Sequence, residues 1–486
     1  MPGSGSVDIQ RLCPVPRVII ALPARVPRGP LAVLLGAWLL VGTAGWAFSI
    51  ALAVYAFDRS GSGAVGAVTA ARLLPAMCAA PLAGGLIDRG DRSRVVAGAC
   101  VLQAVGLALA AGFVLADASL VVIVVLAGVS GIAATVPRPG LQALLPALAS
   151  SPQELMRATA AWSAVDSVGF LLGGGVGGAA IAAVGAGAVV VAAAVTMVLA
   201  AVCSARLPAA TATAPDQPDE GPHRISEMLA GLRVLGQNRM LRATFGLLAG
   251  LLFLEGASDV QLVALAVGRL HMGTGGPGVL WTVWGAGGML ASVAMLSLVR
   301  KRGLGLVLVV GALTFAIGLG TAGLEGEALA VAAMIPAGIG FSLVETAVMA
   351  LVPRLADDAV LGRVYALSEI LYAGAAALGA LLAPVLIDWL GATASLSAVS
   401  AAFAVAALAA WRSYSRLDAG QEQAGPVREL LRGLRFLAPL PLPRPQRLVR
   451  DARPVMFTAG APVVSVGGAV RGLLRERGSD RHGRGI

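Results

Sequence analysis

Gly84-Gly-Leu-Ile-Asp-Arg-Gly-Asp-Arg-Ser-Arg94 is a tight charged hinge set between two long apolar runs, residues 63–87 and 95–115. Each run is long enough to cross a bilayer, whose apolar core takes roughly 20 helical residues. Between them stand two carboxylates, Asp88 and Asp91, and three guanidiniums, Arg89, Arg92 and Arg94. The glycines let two helix ends come close together. A span, a charged turn and a second span form the unit from which the rest of the chain is read.

Composition extends that unit to the whole chain. Of 486 residues, 57% are hydrophobic and only 13% are charged; the mean hydropathy is +0.84. Such a chain is a polytopic membrane protein, not a soluble globule. The net charge of +10 does not mark a nucleic-acid surface, because of where it lies. Residues 412–486 carry 14 arginines against 6 acids, and most of the remaining excess falls in short loops. Nucleic acid is therefore not an expected partner; the lipid bilayer is. Cys78, Cys100 and Cys203 lie in apolar segments and Cys13 in the N-terminal tail, with no metal-ligand spacing. Neither a metal nor a cofactor is expected.

Hydropathy predicts twelve spans: residues 31–57, 63–87, 95–115, 119–145, 159–184 and 187–205, then 241–267, 278–299, 304–323, 328–352, 364–389 and 393–411. Basic residues fall on one side of this ladder. The N-terminal segment and alternate loops hold 18, including Arg157 and Arg363, against Arg59 and Arg269 on the other side. The positive-inside rule then puts both termini in the cytoplasm. The expected organisation is a cytoplasmic tail (1–30), a first six-helix bundle (31–206), a cytoplasmic linker with an amphipathic surface helix (207–240), a second bundle (241–411) and a basic cytoplasmic tail (412–486).

The two halves repeat. Arg157 precedes Gly173 by 16 residues and Gly185 by 28, and Arg363 precedes Gly379 and Gly391 by the same intervals. Leu145-Pro146 stands before one unit and Val352-Pro353 before the other. Parallel six-span halves follow from that spacing.

The hinge resembles the loop signature of the major facilitator superfamily, G-x-L-x-D-R-x-G-R followed by Arg or Lys, between the second and third membrane helices. Gly84, Leu86, Asp88, Arg89 and Arg92 match it. Asp91 stands where the signature has its second glycine, giving the D-R-x-D-R variant of the drug-exporter-like branch. A second stretch, residues 169–178, resembles the antiporter signature G-x-x-x-G-P-x-x-G-G at Gly169, Gly173, Gly177 and Gly178, with Gly174 in place of the proline. The resemblance covers about residues 30–411 and lies closest to drug and siderophore exporters, including the enterobactin-exporter type. It implies an all-α membrane protein of twelve transmembrane helices in two six-helix bundles, the major facilitator fold. It also implies Asp88 as a latch that holds the cytoplasmic face closed.

Charges inside spans are costly, so each one is a candidate for function. Arg72, Asp166, Glu255, Asp259 and Glu345 lie within spans, and Glu255 and Asp259 share a helix face four residues apart. Two neighbouring carboxylates suit uptake and release of a coupling proton, with Arg72 as counter-ion. Arg157, Arg363 and Glu369, near the cytoplasmic ends, are candidate gate residues. Trp38, Trp46, Trp162, Trp281 and Trp284 are candidate pocket liners or packing residues. Export of small lipophilic or amphiphilic molecules in exchange for protons, across a bacterial plasma membrane, is the expected activity; import, or a non-transporting sensor, is the alternative. An ATP-driven pump is excluded, since the only lysine, Lys301, stands between Arg300 and Arg302 and forms no Walker loop. No enzyme activity is expected. Residues 426–460 resemble the opening of a cyclic-nucleotide-binding domain, but the phosphate-binding cassette is missing, so no cyclic-nucleotide binding is expected.

Overall fold

The computed structural model describes residues 29–116, 119–208, 235–236, 238–301, 303–324, 326–355 and 358–423. Most of the predicted surface helix over 224–240, and all of the cyclic-nucleotide-binding-like segment, lie outside these residues. The described elements are helical, and nine stretches among them are long and apolar enough to cross a membrane.

The first helix, α1, runs Pro30–Arg89 with non-helical backbone at Ser60 and Gly61. Gly61 has φ +69°, a left-handed value that costs glycine little. Its apolar stretch Pro30–Ala80 is 51 residues long. A straight helix of that length would reach about 75 Å, more than twice the apolar core of a bilayer, so the break turns one stretch into two passes. Helix α2 (Arg92–Leu115) opens on Asp91, whose carboxylate accepts from the Ser93 amide at 3.2 Å and the Ser93 hydroxyl at 2.7 Å. The acid that departs from the loop signature is therefore a helix N-cap, a role worth about 1 kcal/mol.

Helices α3 (Leu120–Ala134) and α4 (Pro137–Leu148) divide the predicted span 119–145, because Pro137 lacks the N–H that would continue the ladder. Helix α5 (Pro152–Leu171) passes through a π-helical turn, Leu172–Val176, into α6 (Gly177–Ala205). Helix α7 (Arg239–Val263) likewise ends in a π segment, Ala264–Arg269. The chain continues as α8 (Gly276–Lys301), α9 (Leu304–Ala322), α10 (Glu327–Leu355), α11 (Asp358–Leu390) and α12 (Ala392–Gln423).

Packing is densest within two sets of helices. In the first, α6 lies on α1 and α2, and α3 lies on α1; in the second, α9 packs on α10 and α12, α7 on α11, and α8 on α10. Between the sets, α1 lies along α11, and α8 crosses the α5–α6 segment.

The sequence repeat has a geometric counterpart. A Cβ on Gly173 would sit 2.7 Å from the Thr43 carbonyl oxygen and 3.1 Å from the Ala47 nitrogen. A Cβ on Gly379 would meet the Phe253 carbonyl oxygen and sit 2.8 Å from the Ala257 nitrogen. Each glycine thus nests on a carbonyl and on the amide four residues further along a neighbouring helix. Gly185 (φ +82°) and Gly391 (φ +81°) both take the left-handed conformation at the following turn.

Candidate functional site

A narrow cavity lies where the two sets meet. Trp46, Ser49, Thr69 and Arg72 line it from α1, Asp259 and Val263 from α7, and Pro277 and Trp281 from α8. Its charged residues come from opposite walls.

Arg72 is held firmly on its own side. Its guanidinium donates to the Ser49 hydroxyl, which donates to the Gly45 carbonyl at 2.7 Å. Ser49 and Arg72 flank the break at Ser60–Gly61, so this bond also ties the two passes of α1 together. Glycines on α3 allow the backbone behind Arg72 to be approached closely. A Cβ at Gly128 would lie 3.1 Å from the Ala71 carbonyl oxygen, and one at Gly131 would strike the Arg72 carbonyl.

Asp259 stands on the facing wall, and two further carboxylates, Glu255 and Glu345, lie near it outside the lining. Asp259 and Glu255 both lie in the electrostatic field of Arg72, and Glu255 also faces Asp259 and Glu345. Glu345, on α10, accepts a 2.5 Å hydrogen bond from the Tyr372 hydroxyl of α11. Gly256, beside Glu255, has no room for a Cβ against the Ala376 backbone, which brings α7 and α11 close enough for this grouping. Across the interface, Asp166 of α5 sits beside the Arg138 guanidinium and the Trp38 indole. Arg138 lies 6.0 Å from the Trp38 ring centre, and Trp38 stacks on Trp162 at 4.4 Å. The indole nitrogen of Trp38 is buried without a well-formed hydrogen bond, so its proximity to Asp166 is electrostatic.

Four sequence candidates, Arg72, Glu255, Asp259 and Glu345, therefore gather where the sets meet, and Arg138, whose charge also reaches Tyr372, links Asp166 to them. The reading from sequence missed Ser49 and Tyr372 and gave Arg138 only a structural role. Tyr372 could have been noticed as one of only four tyrosines, placed within an apolar run; Ser49 carries no such signal. Of the five candidate tryptophans, Trp46 and Trp281 line the cavity. Their ring centres lie 6.2 Å apart, with Phe170 standing edge-on to Trp46 at 4.5 Å. Trp38, Trp162 and Trp284 pack against other rings.

The glycine stretch divides its contacts between two partners. A Cβ at Gly169 would reach the Gly42 Cα at 3.5 Å, and one at Gly177 the Ala47 Cβ at 3.2 Å, so with Gly173 these positions seat α1. Gly178 instead faces Gly278 of α8. The signature's missing proline does not leave this helix regular, because Gly173–Gly175 lie inside the π turn. The distortion has another origin, consistent with how glycine weakens helical backbone.

At the opening hinge, the Gly90 amide caps α1 on the Leu86 carbonyl at 3.1 Å, and Arg92 donates to the Ala143 carbonyl at 3.2 Å. Gly84 and Leu86 lie in the last turns of α1. Arg157 is exposed on α5. The side chains of Asp88, Arg89, Arg363 and Glu369 lie outside the described residues.

Helices that cross a membrane around a polar inter-bundle cavity define a multi-pass membrane transport protein. The chain belongs to the Major Facilitator Superfamily, whose sequence pattern matches residues 34–302. Solved structures agree in fold. The nucleoside transporter NupG is 14% identical, with a TM-score of 0.63 over 80% of this chain and 99% of that one. The peptide transporter POT, solved with sulfate, is 17% identical, with a TM-score of 0.65 over 80% and 97%. A POT family transporter solved with 5-aminolevulinic acid is 14% identical, with a TM-score of 0.64 over 79% and 96%. No curated protein matches the chain in sequence.

Proposed function

We propose that this transporter exports small lipophilic or amphiphilic molecules in exchange for protons, by alternating access, from the cytoplasm across a bacterial inner membrane. The observation that carries the reading is the polar grouping at the bundle interface. Arg72 and Asp259 line the cavity from different helix sets, with Glu255 and the Glu345–Tyr372 pair grouped beyond the lining near Asp259. A charge near mid-membrane costs about 2.5–3.5 kcal/mol on insertion scales, so a cluster of this size is retained for a task. Carboxylates that alternately face Arg72 and open space would load and release a proton as the bundles rock. Asp166, with Arg138, would be a second such site.

Twelve spans with cytoplasmic termini accompany this reading. Dividing the long stretches at Ser60–Gly61 and Gly185, and adding α8, supports the count. The packing of the helices in two sets supports a division into two bundles, 31–206 and 241–411. Export is supported by the glycine stretch at Gly169, Gly173, Gly177 and Gly178, which resembles the antiporter signature. By the same resemblance, Asp88 latches the cytoplasmic face, and Arg157, Arg363 and Glu369 serve the cytoplasmic gate.

The test uses inverted membrane vesicles with an acid interior and a pH-sensitive dye. Lipophilic cations, siderophores and antibiotics are added in turn. The expected result is proton release with at least one compound, lost in the Glu255→Gln/Asp259→Asn double variant. Silence across the panel with correctly inserted protein would overturn the reading. Accumulation in right-side-out vesicles, under an inward proton gradient, would mark an importer instead.

A further inference from the structure

The cavity is bipolar. Arg72 and Asp259 both line it, from helices of different sets, and they sense each other electrostatically. Among the described residues no direct ion pair joins them; Arg72 is held back on Ser49 instead. Two opposite charges on one space, with Arg72 held to its own side by Ser49, leave room for something between them.

The chemistry of that space restricts what can fill it. A ligand with only an ammonium group would satisfy Asp259 and bring a second cation toward Arg72. A ligand with only a carboxylate would do the reverse. Either choice leaves one buried charge uncompensated, which costs more than pairing it gains. A molecule carrying both signs satisfies both poles. Glu255 shares the field of Arg72 but lies outside the cavity lining, beside Glu345, so Asp259 is the acid that a ligand in the cavity meets.

The rest of the wall is apolar, with two tryptophans set among Ile50, Leu52, Ala53, Val68, Val263 and Pro277. Trp46 and Trp281 flank the poles with their rings inclined at 37°, and Phe170 closes behind them, 6.1 Å from Trp281. Aromatic residues make up only 5% of the chain, so two tryptophans lining one cavity, with a third ring packed on both, are a concentration. Such walls favour a flat ring system through offset and edge contacts. The hydroxyls of Ser49 and Thr69 add polar contacts on the arginine side.

We propose that this cavity binds an aromatic zwitterion, its anionic end on Arg72 and its cationic end on Asp259, the ring system lying between Trp46 and Trp281. The cavity is narrow in this structure, so the ligand enters as the bundles part. The proposal rests on the transporter reading above and names the substrate class for that same site.

The experiment measures equilibrium binding of three dansyl probes to the purified full chain in lipid nanodiscs, by energy transfer from tryptophan. Nε-dansyl-lysine carries both charges, dansylcadaverine only the ammonium, and 6-(dansylamino)hexanoate only the carboxylate. The zwitterion should bind at least tenfold more tightly than either relative. Arg72→Gln should remove its advantage over dansylcadaverine, and Asp259→Asn its advantage over the hexanoate. Arg72→Lys should keep most of the advantage, and Trp281→Phe should reduce energy transfer. The probe series on the unaltered chain decides the charge preference even if a charge variant misfolds. Equal or tighter binding of either single-charge probe, or no binding of any probe, would overturn the proposal. So would a zwitterion preference unchanged in both charge variants. Binding requires no gradient, so a failure of the transport reading would leave this preference intact while the vesicles stay silent.

Discussion

Gly178 and Gly278 meet with almost no side-chain space between them: a Cβ on Gly178 would stand 2.5 Å from the Gly278 Cα. This contact joins α6 to α8 and so joins the two helix sets. Gly275 lies in the same seam, where its Cβ would be 3.0 Å from that of Ala182. A separate contact between the sets has the would-be Cβ of Gly66 2.9 Å from the Pro384 side chain of α11. If transport requires the sets to part here, holding them together must stop it. An Ala182→Cys/Gly275→Cys pair, in a chain otherwise free of cysteine, should form a disulfide under oxidation, since the β-carbons are close. Proton release should then cease and return with reductant. Transport by the cross-linked chain would show that the seam stays shut throughout the cycle.

Gly178→Leu tests the same seam from the other direction. The side chain cannot fit without displacing α8, and overpacking typically costs about 1–3 kcal/mol. Transport should fall while the amount of inserted protein changes little, measured by vesicle flux against membrane abundance.

The hydroxyl of Tyr372 orients Glu345. Tyr372→Phe keeps the ring and deletes a hydrogen bond to a carboxyl group, worth roughly 1.5–3 kcal/mol when the partner is charged. Proton release should slow by about tenfold, with a changed pH profile. Glu345→Gln should act in the same direction. A Tyr372→Phe protein with the unaltered rate and profile would remove Glu345 from the proton path.

Two neighbouring acids of the opening hinge should separate cleanly. Asp91 caps α2, so Asp91→Ala should lower thermal stability by about 0.5–2 kcal/mol, and Asp91→Asn, an equally good cap, should change little. Both should keep transport at normal abundance. Asp88→Asn, by contrast, should abolish or reduce transport without unfolding the chain. Full flux from Asp88→Asn would refute the latch.

A pH effect is expected at the start of α5. Glu154 accepts from the Ser150 hydroxyl and from the Ser150 amide at 2.8 Å, and these bonds hold its carboxyl below the usual range. A depressed folded-state value means that the carboxylate stabilises the turn above its unfolded pKa and loses that effect as pH falls through the folded one. Hydrogen-exchange protection around residues 150–155 should drop on moving from neutral to acid pH. In Glu154→Gln that dependence should flatten. The site is exposed, so transport at neutral pH should be unchanged.

Much of the fold was legible because membrane helices announce themselves by length and hydropathy. The breaks at Ser60–Gly61 and Gly185 fall between predicted spans, where glycine and polar residues interrupt apolar runs. The split at Pro137 and the π turn at Leu172–Val176 were not legible, since both lie within stretches that hydropathy scores as continuous. Of the site, the charged members stood out because the surrounding composition makes any charge conspicuous. Ser49 did not, and Tyr372 did so only as a rare tyrosine in an apolar run, because the significance of each comes from the residue it faces.

Gly173 and Gly379 nest on their neighbours in the same manner, one in each half. As lineages of this chain diverge, the lipid-facing alanines and valines can exchange with little penalty. These two positions cannot, since any side chain would push a helix off its partner. They should persist together as a matched pair, a trace of one ancestral half copied and joined to itself, long after the residues around the cavity have been altered to suit different cargo.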